Sequence, residues 1–200
     1  MRLVLLYNSQ VSGNCYKVRL LFAHLGISYE RHELSVIDRS NRPEVIGDKN
    51  PARRVPTLVL DDGRTLGESN AITYYFADGT EYLPEDRFER AQVLQWQFFE
   101  QYDHEPNIAV ARFWRIAGID PSAADVEAKL GGGHRALSAM ERHLASRQFL
   151  VGERYTIADI ALYAYTHVAP EGGFELEPYP AIRAWLQRVE AQPGHVAITD

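Results

Sequence analysis

The chain has 200 residues, 46% of them hydrophobic, which is ordinary for a globular protein with room for one large domain or two small ones. Its 21 Lys+Arg against 27 Asp+Glu give a formal charge of −6, which argues against a nucleic-acid partner, since phosphate-backbone binding needs a positive face. A single cysteine excludes an internal disulfide framework and a multi-thiolate metal site. No apolar run approaches the ~20 residues of a membrane span, and the N-terminus reads as a first strand, so a reducing cytoplasm is the expected location.

Leu3 to Tyr7 is a continuous apolar run, as in a strand buried on both faces. Residues 8–14 are polar and turn-prone. Val18, Leu21, Phe22 and Leu25 then follow at helical spacing, with Gly26 as a C-terminal cap. Ile27 to Leu34 alternates like a half-buried strand. Asp38 to Lys49 is polar, and Pro43 opens a short, loosely held helix there. Thr57 to Leu60 predicts a strand, Asp61-Asp62-Gly63 a hairpin turn, and Thr65-Leu66 the return strand. Glu68-Ser69-Asn70 supplies caps and negative charge for a helix start. The order is β-α-β-α-β-β-α, ending near Asp78.

Residues 79–88 break the periodicity and read as a linker. Beyond them only helices are expected, over residues 89–200. Arg90 to Tyr102 is the first, followed by a bend at Pro106 and a helical stretch from Asn107 to Gly118. Val126, Leu130, Leu137, Met140 and Leu144 mark a long helix that Gly131-Gly132-Gly133 is expected to interrupt, by a kink or close packing. Thr156 and Asp159 fit a capping box. Tyr179-Pro180 opens a last helix with Ile182, Trp185, Leu186 and Val189 facing inward.

The stretch from Asn50 to Ile72 carries the functional reading. An X-Pro bond at Val55-Pro56 is a candidate for the cis form. Residues before such a proline can pair with an extended ligand through their backbone. A helix start with Glu68 and Ser69 suits the amino-acid end of a small peptide, and Arg54 a second carboxylate. With Asn50, Pro51, Arg54, Val55, Pro56, Leu58, Glu68, Ser69, Ala71 and Ile72, the stretch resembles the glutathione-binding half of the cytosolic glutathione transferases, nearest their bacterial, serine-, theta- or beta-like members. The resemblance covers nearly all of the chain. It implies an α/β thioredoxin-like domain over 1–78 and an all-α C-terminal domain.

It also implies roles. Val55 pairs with the cysteinyl backbone of glutathione, Glu68 and Ser69 hold its γ-glutamyl end, and Arg54 its glycyl carboxylate, with Arg53 solvated. The glutathione thiol must be made a thiolate, by a hydrogen-bond donor and a helix N-terminus. Three residues near the first strand's end compete for that task. Ser12 stands where serine-type members carry their activating serine, and it also fits a plain N-cap. Cys15, in a first helical turn, would favour mixed-disulfide chemistry if it faced the ligand; a small buried residue is the simpler reading. Tyr7 falls one place from the tyrosine position, which here is Asn8. Asn14 is a further donor, although Gly13 replaces the proline that precedes it in relatives.

The electrophile is expected against the helical domain, with Phe99, Gln101, Tyr102, His104, Ala111, Phe113 and Trp114 as candidates and His104, Phe113 and Trp114 foremost. No metal is implied: His104-Glu105 has Ile108 where a zinc-binding second histidine would stand. The resemblance thus implies a homodimeric enzyme that conjugates glutathione, its cosubstrate, to a small hydrophobic electrophile. A glutathione-dependent peroxidase or disulfide reductase, and a glutathione-binding scaffold without turnover, are the alternatives.

Overall fold

The structure, a computed structural model, describes residues 4–200. The chain divides into two compact units, residues 1–78 with 193–200, and residues 79–192. The end of the chain therefore belongs with the first unit.

In the first unit, β1 (Val4–Asn8), β2 (Tyr29–Glu33), β3 (Thr57–Val59) and β4 (Thr65–Gly67) form one mixed sheet in the order β2-β1-β3-β4. Leu3, expected to open β1, lies outside the described residues. The connection from β1 through α1 (Gly13–Leu25) makes β2 parallel to it, as a crossover helix requires. The β3–β4 hairpin is antiparallel, and β3 runs antiparallel to β1. Alternation puts Val4 and Leu6 on one face, packed with Val18, Phe22, Leu58 and Ile72. Tyr7 lies on the other face with Leu34 and Ile46. Both faces of β1 are thus covered, which is why Val4 to Tyr7 are apolar without interruption.

β2 differs from the half-buried strand expected. Only Tyr29 is partly covered, and Glu30 to Glu33 are exposed. It is an edge strand, and charged side chains suit an edge that must not pair further. Gly26 ends α1 at φ 63°, as the sequence predicts. Pro43 sits in the first turn of α2 (Arg42–Val45), a single turn. The unit closes with α3 (Ser69–Ala77).

The main elements of the second unit are helices, α4 (Arg87–Phe99), α5 (Glu105–Ala117), α6 (Ala123–Leu144), α7 (Ile157–Thr166) and α8 (Pro180–Glu190), with one isolated antiparallel bridge between Val151 and Arg154. Every residue of α7 is buried, and α4, α5 and α8 pack against it. The bend expected at Pro106 is a π-helical turn over Glu100–His104, with Glu105 N–H bonded to Glu100 C=O. A proline ring collides with the carbonyl four residues back in a regular helix, and the wider turn removes that collision.

The three glycines do not interrupt α6, which runs unbroken through them. Of the two readings, close packing holds. A Cβ on Gly132 would overlap the Asn107 side chain, and one on Gly133 would overlap the Phe174 ring. The capping box forms: the Thr156 and Asp159 side chains bond each other's backbone ends of the first α7 turn. Among the described residues, no helix is long and apolar enough to cross a membrane.

Candidate active site

The loop from β1 to α1 presents Ser12 as the helix N-cap, extended at φ −79° and ψ 120°. Its Oγ accepts from Cys15 N–H at 3.3 Å, and its own N–H donates to Ser9 C=O at 3.0 Å. Accepting from Cys15 N–H uses no hydroxyl hydrogen of Ser12, which can be donated to the neighbouring Cys15 sulfur or to an incoming acceptor. It stands at the positive end of a 13-residue helix, where an anion is favoured.

Cys15 is placed differently. Ser12 keeps 9% of its surface exposed and Cys15 none. The Cys15 Sγ accepts from Ser9 N–H at 3.3 Å. Burial pushes its thiol up to about 11, against smaller opposite pulls from Ser12 and Ser9. Near neutrality it stays protonated and enclosed, the simpler of its two sequence readings. Tyr7 is buried on the Leu34–Ile46 face, its ring 5.3 Å from that of His32. Asn8, at the aligned tyrosine position, is also buried, and bonds Glu33 and Arg19.

The second wall comes from the hairpin. The Val55–Pro56 bond is cis. Ladder pairing of β3 begins at Thr57, which leaves the half-buried Val55 backbone outside the sheet. Asn50 fixes this loop: its Nδ2 donates to Arg54 C=O at 3.3 Å and Thr57 Oγ1 at 2.9 Å, while its Oδ1 accepts from Ala52 N–H at 2.9 Å. Arg54 is exposed. Arg53 has φ 49°, a left-handed backbone between Asn50 and Arg54.

Glu68 precedes α3 with φ 62° and ψ 115°, left-handed space for a non-glycine residue. Such strain costs on the order of 1–3 kcal/mol and collects at functional sites. The Glu68 side chain is exposed and Ser69 is buried. Ser69 Oγ donates to Asn14 Oδ1 at 3.1 Å and accepts from Lys17 Nζ at 3.4 Å. The first turns of α1 and α3 are joined through these three side chains.

Sequence reasoning named Asn14 and Ser69 separately and missed Lys17, a fully buried lysine. It also missed Arg19, whose buried guanidinium holds Asn8 Oδ1 at 2.9 Å, Gln10 C=O at 3.1 Å and Ile198 C=O at 2.6 Å. The available signal was two cations flanking Val18 beside the apolar run Leu20-Leu21-Phe22.

In the helical unit, His104 is fully buried with Nε2 2.9 Å from Thr166 Oγ1, a core position. Phe113 is half-buried. Trp114 lines a cavity of about 260 Å³ with Ala111, Arg115, Ile119 and Val126. Tyr102 is exposed, and Phe99 packs its ring on Trp96.

Residues 6–81 match the family described as "Glutathione S-transferase, N-terminal domain", and residues 96–193 the one described as "Glutathione S-transferase, C-terminal domain". The chain belongs to the glutathione S-transferase family. A crystal structure of a glutathione S-transferase from Pseudomonas fluorescens is 47% identical, covering 98% of this chain and 99% of that one, with a TM-score of 0.95. A glutathione S-transferase-like protein of a Fusarium species is 30% identical over 92% of this chain and 86% of its own length. Elongation factor 1-gamma of Artemia salina is 31% identical over 83% of this chain, which spans 40% of that longer protein. The sheet unit is the thioredoxin-like half of the glutathione S-transferase fold and the second unit its helical half.

Proposed function

We propose that this chain binds glutathione through Asn14, Arg54, Val55, Pro56, Glu68 and Ser69, lowers the pKa of its thiol with Ser12, and conjugates it to a small hydrophobic electrophile. The supporting observation is the contrast at the α1 N-terminus: Ser12 has a hydroxyl hydrogen to give and Cys15 is closed off. The Ser12 O–H donates to the glutathione sulfur, and the helix N-terminus stabilises its negative charge. The thiol proton leaves to solvent. The thiolate then forms the carbon–sulfur bond as the electrophile's leaving group departs with its electron pair, or as the pair moves onto an unsaturated acceptor.

A mixed-disulfide mechanism through Cys15 is not favoured, because a buried protonated thiol does not exchange. Glutathione titration with thiolate absorbance against pH tests the reading, in wild type, Ser12→Ala and Cys15→Ala. Wild type and Cys15→Ala should lower the bound thiol's pKa, and Ser12→Ala should not. Loss of the effect in Cys15→Ala alone would move the chemistry to that residue.

A scaffold without turnover is the second reading, supported by the similarity to elongation factor 1-gamma. Glutathione binding without any conjugation across a panel of chloronitrobenzenes, epoxides and peroxides would favour it.

Homodimerisation is part of the proposal. Phe88, Ala91, Gln95, Phe98 and Tyr102 are exposed at alternating steps of three and four residues, one stripe along α4 and the turn after it. Such a stripe suits a second copy of the chain. Phe98→Glu should shift sedimentation from dimer to monomer, and a monomeric wild type would refute the assignment. A cytoplasmic location completes the reading, as its lone protonated cysteine suits a reducing compartment.

A further inference from the structure

Lys17 is the second residue to precede Arg19 on α1, and it is fully buried. Taking an ammonium out of water is costly, and proteins keep such a charge where a fixed polar arrangement uses it. Its Nζ donates to Ser69 Oγ at 3.4 Å. Ser69 is the first residue of α3, and its hydroxyl donates to Asn14 Oδ1 at 3.1 Å.

An ammonium can only donate, and a serine hydroxyl has one hydrogen. Lys17 therefore occupies a lone pair of Ser69 Oγ and keeps the hydroxyl hydrogen pointing away from itself. That hydrogen goes to Asn14, or to an acceptor arriving at the α3 N-terminus. The N–H groups of the first α3 turn are unused by the helix and aim the same way. A carboxylate seated there takes the Ser69 hydroxyl hydrogen with a buried positive charge directly behind it. In a low-dielectric interior that charge acts over a longer range than it would in water.

We propose that Lys17 is the positioning residue for the γ-glutamyl carboxylate of glutathione. It acts through Ser69, setting the hydroxyl's direction and adding positive potential to the α3 N-terminus. This rests on the glutathione reading of the site. It gives a physical reason for a fully buried lysine on α1: the site takes an anion, and the cation lies underneath it.

The test compares glutathione with its analogue in which γ-aminobutyrate replaces the γ-glutamyl residue, so that only this carboxylate is missing. Calorimetric affinities are measured for wild type, Lys17→Met and Lys17→Arg. Wild type should prefer glutathione by about tenfold or more, the size of one charge-assisted hydrogen bond. Lys17→Met should lose most of that preference while binding the analogue as wild type does, and Lys17→Arg should recover part of it. An equal loss for both ligands, or an unchanged preference, overturns the proposal.

Wild type that binds neither ligand refutes the glutathione reading itself, which separates the two failures. Should Lys17→Met not fold, the wild-type protein with isotope-labelled lysine decides by NMR. The Lys17 ammonium resonance should move on adding glutathione and stay in place with the analogue. A resonance that responds to neither, or equally to both, overturns the proposal.

Discussion

The Asp159 carboxylate accepts a hydrogen bond from Trp185 Nε1 at 2.9 Å, joining α7 to α8 where neither side chain reaches solvent. The same carboxylate accepts from Leu150 N–H at 3.0 Å, Thr156 N–H at 2.9 Å and Thr156 Oγ1 at 3.1 Å. One side chain thus caps α7, holds the preceding loop and fixes the last helix.

Burial outweighs these donors and pushes the Asp159 carboxyl up to about 6 from 3.8. Between those values the native state holds a proton that the unfolded chain has released. The contribution of this group to stability therefore falls as pH rises from about 4 to about 6, by up to about 3 kcal/mol, and is level above. Asp159→Asn does not titrate, and its amide would face the Thr156 N–H donor to donor. We expect the variant to be less stable than wild type throughout, with the gap widest near pH 4 and narrowing until about pH 6. Urea unfolding at a series of pH values checks this, and a gap that widens with pH would refute it.

The glycines of α6 separate two effects that a propensity scale merges. A Cβ on Gly131 would meet nothing closer than Arg135 Nη1 at 3.6 Å. Gly131→Ala should stabilise by about 1 kcal/mol, the helix-propensity difference. A Cβ on Gly133 would enter the buried Phe174 ring and approach Ile108 Cγ1 at 3.2 Å. Gly133→Ala should cost about 1–3 kcal/mol by overpacking. Opposite shifts in melting temperature are the expected outcome, and equal shifts would show that α6 does not lie this close to α5.

Arg19 grips the loop that carries Ser12 and also binds the chain's last described residues. Besides its bonds to Asn8, Gln10 and Ile198, Gln10 Nε2 donates to Ile198 C=O at 2.9 Å, and Tyr16 OH to Val196 C=O at 2.7 Å. Arg19→Met leaves Asn8 Oδ1 and Gln10 C=O without their charged donor and Ile198 C=O with Gln10 Nε2 alone. It should destabilise by about 3 kcal/mol and expose residues 193–200 to protease under native conditions. Limited proteolysis with mass spectrometry reads the cut site. A tail that stays protected would show that Arg19 is not what fastens it.

What the sequence discloses here depends on how local each feature is. β1 and α1 follow from apolar spacing and caps within a few residues, and so does the Thr156–Asp159 box, whereas α3 begins after Glu68 without the side-chain cap that Glu68-Ser69-Asn70 predicts. The hairpin and the Val55–Pro56 element carry their own turn chemistry. The parts that stayed hidden are set by distant partners. β2 alternates as a half-buried strand would, yet it lies at the sheet edge, and only sheet order decides that. Whether Gly131–Gly133 kink α6 or admit a neighbour depends on Asn107, Ile108 and Phe174. Lys17 and Arg19 were missed because their partners Ser69 and Ile198 lie 52 and 179 residues away in the chain. The left-handed Arg53 sits between two loop bonds that pattern reading does not register: its N–H to Asn50 C=O at 2.8 Å, and its C=O to Arg42 Nη1 at 3.5 Å.

Glu68 offers the sharpest division between stability and binding. Its left-handed backbone at φ 62° suits glycine better than glutamate, and its exposed side chain has no packing to lose. The residue before α3 must nonetheless turn the chain so that Ser69 starts the helix, and its C=O accepts from Ile72 N–H at 3.0 Å. Glu68→Gly keeps that turn and relieves the strain, which should stabilise the fold by about 1 kcal/mol. It also removes a carboxylate proposed to hold the γ-glutamyl end, so glutathione affinity should fall about tenfold. Glu68→Ala keeps the strain and removes the same carboxylate, so it should lose the affinity without gaining stability. Melting temperature and calorimetric affinity measured on both variants check the pair. A Glu68→Gly protein that binds glutathione as wild type does would show that the strain is held for the backbone alone.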